Sequence, residues 1–261
     1  MSGGVNGAAL NWAALDWALL GPALLAGLLV LVSHVPLGQR VLDRGIVFID
    51  LAIAQVAGLG VLAADALGLP ADGWVVQAAA LSAALLGASL LAWTERRAQA
   101  QQEALIGVMF VLAASGGVLL LAASPHGGEH LQELLVGQIL WVTPQQLAWL
   151  AAVTAVLGLA LWRGWVPARA GWRFHLAFAV AVTASVQVVG VYLVFASLIL
   201  PALATQGMSD KRRLAAAWGI GLAGYVLGVA LSALLDWPTG AVVVWTLAAC
   251  ALVAFLLRRR G

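Results

Sequence analysis

Apolar runs of membrane-crossing length alternate with short polar breaks along most of the chain. The first run covers residues 17–33 and is followed by a break carrying Arg40, Asp43 and Arg44. The second, 46–69, exits into a turn with Pro70, Asp72 and Gly73, and the third, 74–93, is stopped by Glu95, Arg96 and Arg97. The fourth, 105–123, is broken by Ser124, Pro125, His126, Gly127 and Gly128. Each is close to the ~20 residues that a helix needs to cross a bilayer.

The second half continues the pattern with three variations. Residues 131–142 form a run too short to span, ending at Thr143 and Pro144, which predicts a re-entrant or interfacial helix on the outer face. Residues 146–162 cross again, and Arg163, Arg169 and Arg173 mark the exit. The stretch 174–205 is long enough for two shorter crossings that meet near Gly190. Pro201 removes a backbone donor and crowds the preceding turn, so Gly190 and Pro201 are the candidate hinges of this segment. Residues 214–235 and 241–257 complete the set, separated by Asp236, Trp237, Pro238, Thr239 and Gly240. The expected fold is an all-α polytopic transmembrane bundle of about nine crossings plus the short helix.

Composition narrows the class. With 63% hydrophobic and 9% charged residues the chain lies outside the range of soluble domains. No tract is polar enough for a separate soluble unit, so residues 1–261 read as one membrane domain. Cys250 is the only cysteine, which excludes an intramolecular disulfide and a thiolate metal cluster. The N-terminus has neither basic residues before its first apolar run nor a cleavage pattern, so no signal peptide is expected.

Charge sets the expected topology. With nine crossings, an outside N-terminus and a cytoplasmic C-terminus, all 13 basic residues fall on one side. The other side then holds Asp16, Asp65, Asp72, Glu129, Glu133 and Asp236. Such an acidic face raises the local concentration of cations, within the ~8 to 10 Å that salt allows. Tryptophans such as Trp17, Trp74, Trp93, Trp162 and Trp237 fall near span ends, where interfacial rings belong.

Polar groups inside or beside the apolar runs are the candidates for chemistry. Asp50 is an acid within the run GIVFIDLAIAQVAGLG, with Gln55 five residues on. A mid-bilayer charge costs about 2.5 to 3.5 kcal/mol on insertion scales, so such a carboxylate faces a pathway or a subunit, unless it sits at the interface or caps a helix. Gln187, Tyr192, Ser197 and Thr205 either line a pathway or hydrogen-bond between helices. His126, Glu129, His130 and Glu133 are the densest set of potential metal ligands, fit for a transient outer site or simply a solvated loop. An intramembrane metalloenzyme using His126, His130 and a carboxylate is a weaker reading, because the spacing is not HExxH. His34 and His175 are expected near cytoplasmic helix ends as interfacial residues. There is no phosphate-binding loop, so the chain is not expected to be an enzyme powered by its own ATP site.

Five blocks in order resemble the permease subunits of the zinc and manganese ABC importers. GVYLVFASLILPALAT is similar to that family's signature before the docking helix. The Asp50 run resembles its second block, EALIGVMFVLAASGGVLLL its fourth-helix block, and HLQELLVGQILWVTPQQL its "L-x-G-x-I-L-x-V-T" segment. LSALLDWPTGAVVV resembles its late turn. The resemblance implies a bacterial inner-membrane permease that dimerises in lipid, docks a cytoplasmic ABC ATPase, and receives zinc or manganese from an extracytoplasmic binding protein. On that reading ATP acts through the partner, the divalent metal is substrate, and no intrinsic cofactor or nucleic acid is involved. Ala202, Thr205, Asp210, Lys211, Arg212 and Arg213 occupy the position of the family's ATPase-docking loop. Two departures stand out. Gln55 takes a place where many relatives have histidine, and the connection from Arg163 to Arg173 is shorter than its counterpart. They leave room for an ATPase-independent channel or exporter, or for a purely structural subunit, built on the same bundle.

Overall fold

The computed structural model describes residues 15–69, 73–121, 137–166 and 171–260. Among these residues it has nine helices and no strand. They are α1 (Trp17–Arg44), α2 (Ile49–Ala66), α3 (Gly73–Arg97), α4 (Gln102–Leu121), α5 (Pro144–Trp162), α6 (Trp172–Val189), α7 (Val191–Ala204), α8 (Asp210–Leu235) and α9 (Thr239–Arg260). Eight are long and apolar enough to cross a membrane, and the 14-residue α7 is the short one. The all-α polytopic bundle expected from the apolar runs is therefore the observed fold.

The boundaries differ in three places. Helix α1 does not stop near residue 33 but continues through Pro36 to Arg44, so the first charged break is helical. It ends where Gly45 takes a left-handed conformation and the chain folds back to Val41 and Leu42, a glycine-terminated cap. Helix α7 runs one turn past Pro201, and the Thr205 hydroxyl closes it by donating to the carbonyls of Pro201 and Ala202. In the segment expected as a re-entrant helix, residues 131–136 lie outside the described residues, and Ile139–Trp141 is a single 3-10 turn. Thr143 and Gln146 then form a reciprocal capping box that starts α5.

One residue joins α6 to α7. Gly190 has φ 79° and ψ 163°, a conformation open to glycine, and it ends one helix while starting the next. Gly137 packs against this joint so closely that a Cβ there would meet the Val189 carbonyl group and the Gly190 nitrogen. The bundle centre is built from α1, α6 and α7, with α2 and α3 on one side and α8 and α9 on the other. Small residues set the spacing where the driving force is packing, because lipid is as apolar as the side chains. A Cβ on Gly38 would collide with the Leu198 carbonyl oxygen, so α1 and α7 touch backbone to backbone. Gly27 receives the ring of Tyr225, and Gly221 receives Leu31. Between α8 and α9, Gly224 and Gly228 make room for Leu247, Val243 and Thr246, whose hydroxyl donates to the Gly224 carbonyl at 2.7 Å.

The arginine-bearing helix ends meet. Arg213 at the start of α8 pairs with Asp43 at the end of α1, and Arg258 of α9 donates to Ala204 of α7. Arg40 donates to the Val166 carbonyl, Arg44 lies 3.8 Å over the Phe174 ring of α6, and Glu95 of α3 approaches His175 of α6 at 3.7 Å. Six helix ends are thereby gathered at one end of the bundle.

Candidate functional site

Asp50 is the most conspicuous polar group of the interior. It is the second residue of α2, only 1% exposed, and its carboxylate has no side-chain partner within the protein, facing only the N–H groups of its own helix start at Asp50 and Leu51. Its place in the first turn sets the carboxylate in the favourable field of the helix N-terminus. That field offsets part of the desolvation cost and leaves both oxygens with free lone pairs. Gln55 is half-buried on the same helix. At 3.6 residues per turn, five positions turn it about 140° away, so the two side chains do not share a face of α2.

The remaining pathway candidates separate into distinct environments. Ser197 is fully buried, donates to the Leu193 carbonyl at 2.6 Å and bonds the Tyr225 hydroxyl at 2.8 Å, which ties α7 to α8. Tyr192 is 52% exposed on the outside of the subunit. Gln187 is half-buried in the last turn of α6, and its amide nitrogen has no partner within the protein. Thr183, one turn earlier, has a buried hydroxyl that is likewise unpaired. Helix α2 packs on α6 and α7, so Asp50 and Gln187 lie on neighbouring elements. Both helices start at the charged end, and the 15 residues of α6 before Gln187 lift it roughly 20 Å from that level.

The docking-loop candidates divide by burial. Ala202 and Thr205 are inside the subunit, while Leu203, Gln206, Gly207 and Arg212 are exposed at the charged end. Arg213 is held by both oxygens of Asp43 at 2.9 and 3.0 Å. Asp210 and Lys211 open α8. His126, Glu129, His130 and Glu133 lie outside the described residues. Among the described residues no three His, Cys, Asp or Glu side chains gather as a metal site.

Two buried groups differ from their sequence reading or went unread. His34 is not at a helix end but in the middle of α1, fully buried, with Nδ1 3.0 Å from the Val30 carbonyl and Nε2 unpaired. The difference follows from α1 running eleven residues beyond the expected boundary. His175 does lie at the charged end, against Glu95 and near Arg44. The glycines at 224 and 228 carried a readable signal of close helix approach, the four-residue spacing of small residues.

Comparison with known proteins completes the picture. The chain matches the ABC 3 transport family over residues 16–167 and 163–258. It is 27% identical to the "Probable iron transport system membrane protein" of Haemophilus influenzae over 197 residues, covering 68% of this chain and 70% of that one. An uncharacterised membrane protein of Synechocystis is 28% identical over 196 residues, covering 67% and 69%. The fold is similar to PsaBC from Streptococcus pneumoniae, solved in complex with Fab, with TM-score 0.73, 20% identity and 90% of each chain covered. A metal-chelate type ABC transporter in an inward-facing conformation gives TM-score 0.68 at 14% identity, covering 92% and 85%.

Proposed function

Since the chain belongs to the ABC 3 transport family, the permeases of metal ABC transporters, we propose that it is the permease of an ATP-driven importer of a divalent transition metal. The observation that carries this reading is Asp50, a fully buried carboxylate with no side-chain partner in the protein. A carboxylate in that state is a ligand for a passing cation, and an apolar bundle retains such a group at a cost only where it serves one.

The donor set bears on the metal. Asp50 offers oxygens, and Gln55, on another face of α2, brings no imidazole. Carboxylate and carbonyl oxygens suit manganese, whereas imidazole suits zinc. The Haemophilus influenzae relative is named for iron. The donor chemistry therefore puts manganese before zinc, and iron enters on the name of that relative alone, since imidazole suits iron as well as zinc. The permease works as a homodimer in the bacterial inner membrane, with the arginine-rich end cytoplasmic and the N-terminus outside, in accord with the positive-inside rule. A separate ABC ATPase docks at that end, on the exposed Leu203, Gln206 and Arg212. An extracytoplasmic binding protein delivers the metal to the other face. Gly190 and Pro201 bracket the segment that closure of the ATPases moves.

The test is uptake of radioactive manganese, iron and zinc in cells expressing the chain with its ATPase. Asp50→Asn keeps the shape and removes the charge, and should lower uptake roughly tenfold or more, as loss of a metal-site group does, with the membrane level of the protein unchanged. Uptake equal to the unmodified protein would remove Asp50 from the pathway. Uptake independent of the ATPase would replace the importer with a channel.

A further inference from the structure

Helices α5 and α6 leave a groove of about 730 Å³ on the outside of the bundle. Val153, Val156 and Ala160 of α5 and Leu176, Ala177 and Val180 of α6 make its apolar walls. Trp149 stands at one end, where it also lines the adjoining groove. At the other stand Trp165, Trp172 and Arg173, and among the described residues Arg173 is the only charged one lining the groove. Both tryptophans are more than half exposed. The Arg173 guanidinium lies 5.8 Å from the centre of the Trp172 ring, and Arg163, also exposed, lies 5.5 Å from that of Trp165.

The dimensions match one leaflet. From Ala160 back to Trp149 the α5 axis rises about 16 Å at 1.5 Å per residue, close to half of a ~30 Å hydrocarbon core. Beyond Trp149 a second groove of about 760 Å³ continues toward the opposite end, where Trp74, Gln77, Thr143 and Gln145 line it without a charge. Among the described residues, cationic groups mark only the arginine-rich end.

We propose that the α5/α6 groove is a binding site for one anionic phospholipid of the leaflet at the arginine-rich end. Its phosphate is held by Arg173 and Arg163, and an acyl chain lies between the two helices as far as Trp149. Guanidinium groups form strong charge-assisted bonds with phosphate, the flanking indoles suit the headgroup level, and the walls supply the apolar contact.

The experiment is native mass spectrometry of the detergent-purified full-length protein, equilibrated with equal amounts of dioleoyl phosphatidylglycerol and dioleoyl phosphatidylcholine. Phosphatidylglycerol should be retained in preference. Arg173→Gln should lower its retention about fivefold, the effect of one arginine at an anionic headgroup, while Arg173→Lys keeps most of the preference. Val156→Trp, a change on an exposed position that leaves the core alone, should fill the groove and reduce retention of both lipids. Leu112→Trp on the exposed side of α4 should change neither. Equal retention of the two lipids, or a preference untouched by Arg173→Gln, would overturn the proposal. So would Val156→Trp splitting a dimer while lipid retention stayed constant, which would assign the groove to a second copy of the chain.

Discussion

Helices α4 and α6 are both of membrane-crossing length, 20 and 18 residues, and they have opposite fates. The mean hydropathy of α4 is 2.5 and only 17% of its span is buried within the protein, whereas α6, at 1.3, is 72% buried. In water the more apolar helix would be the central one. In a bilayer the ordering inverts, because lipid solvates apolar side chains as well as a protein core does, and the interior selects for small and polar residues that let helices touch. The centre holds Thr183, Ser185, Ser197 and Asp50 for the same reason. On α4 the exposed Ser115 returns its hydroxyl to the Val111 carbonyl of its own helix, whereas the polar groups of the centre find shelter between helices.

The sharpest way to break this contrast is to add volume at the centre and at the rim. Gly38→Leu places a side chain where the Leu198 carbonyl lies against α1. It should cost at least the ~1–3 kcal/mol of ordinary overpacking, and more because backbone cannot yield. Little folded protein is expected by size-exclusion chromatography in detergent. Gly107→Leu on α4 meets open space, and its thermal unfolding should change by no more than about 0.5 kcal/mol, as at other uninvolved surface sites. Comparable losses at both positions would sink the distinction.

A smaller effect separates polar glue from apolar packing. Tyr225→Phe keeps the ring against Gly27 and removes the hydroxyl bonded to Ser197. Because Ser197 retains its bond to Leu193, the cost should be near the ~0.6 kcal/mol average of interhelical hydrogen bonds in membranes, read by thermal unfolding. A loss of several kcal/mol would mean that the hydroxyl pair matters to the bundle as much as the glycine contacts that hold α7 and α8 to α1. The smallest effect belongs to the charged end. A double-mutant cycle on Asp43→Asn and Arg213→Gln should give a coupling of about 0.2–1 kcal/mol, because the Asp43 side chain is 53% exposed, and high salt should weaken it.

The spans were legible because crossing a bilayer demands uninterrupted apolar length. The break at Gly190 was legible as well, since a glycine inside an apolar run marks a place where the backbone can leave the helix. The end of α1 was not. Three charged residues read as a loop, yet the helix runs on through Pro36, which a bundle tolerates when neighbours and adjusted geometry satisfy the freed carbonyl, and Arg40, Arg44 and Asp43 found partners at the ends of other helices. His34 was misplaced by the same shift. Asp50 was readable as an unusual acid, but the lack of any side-chain partner for its carboxylate depends on which helices surround it.

By itself the amino-acid order determined the apolar stretches that become helices, the end at which their arginines collect, and the residues that cannot rest in lipid unaided. These follow from local composition and from the free energy of each segment in hydrocarbon, quantities that add along the chain. Tertiary structure alone decided which helices are central and that Ser197 serves Tyr225. It also decided that α5 and α6 part to leave a groove. Those outcomes depend on close approach between residues far apart in the chain, such as Gly38 and Leu198, where the fit of two surfaces and not the character of either segment sets the energy.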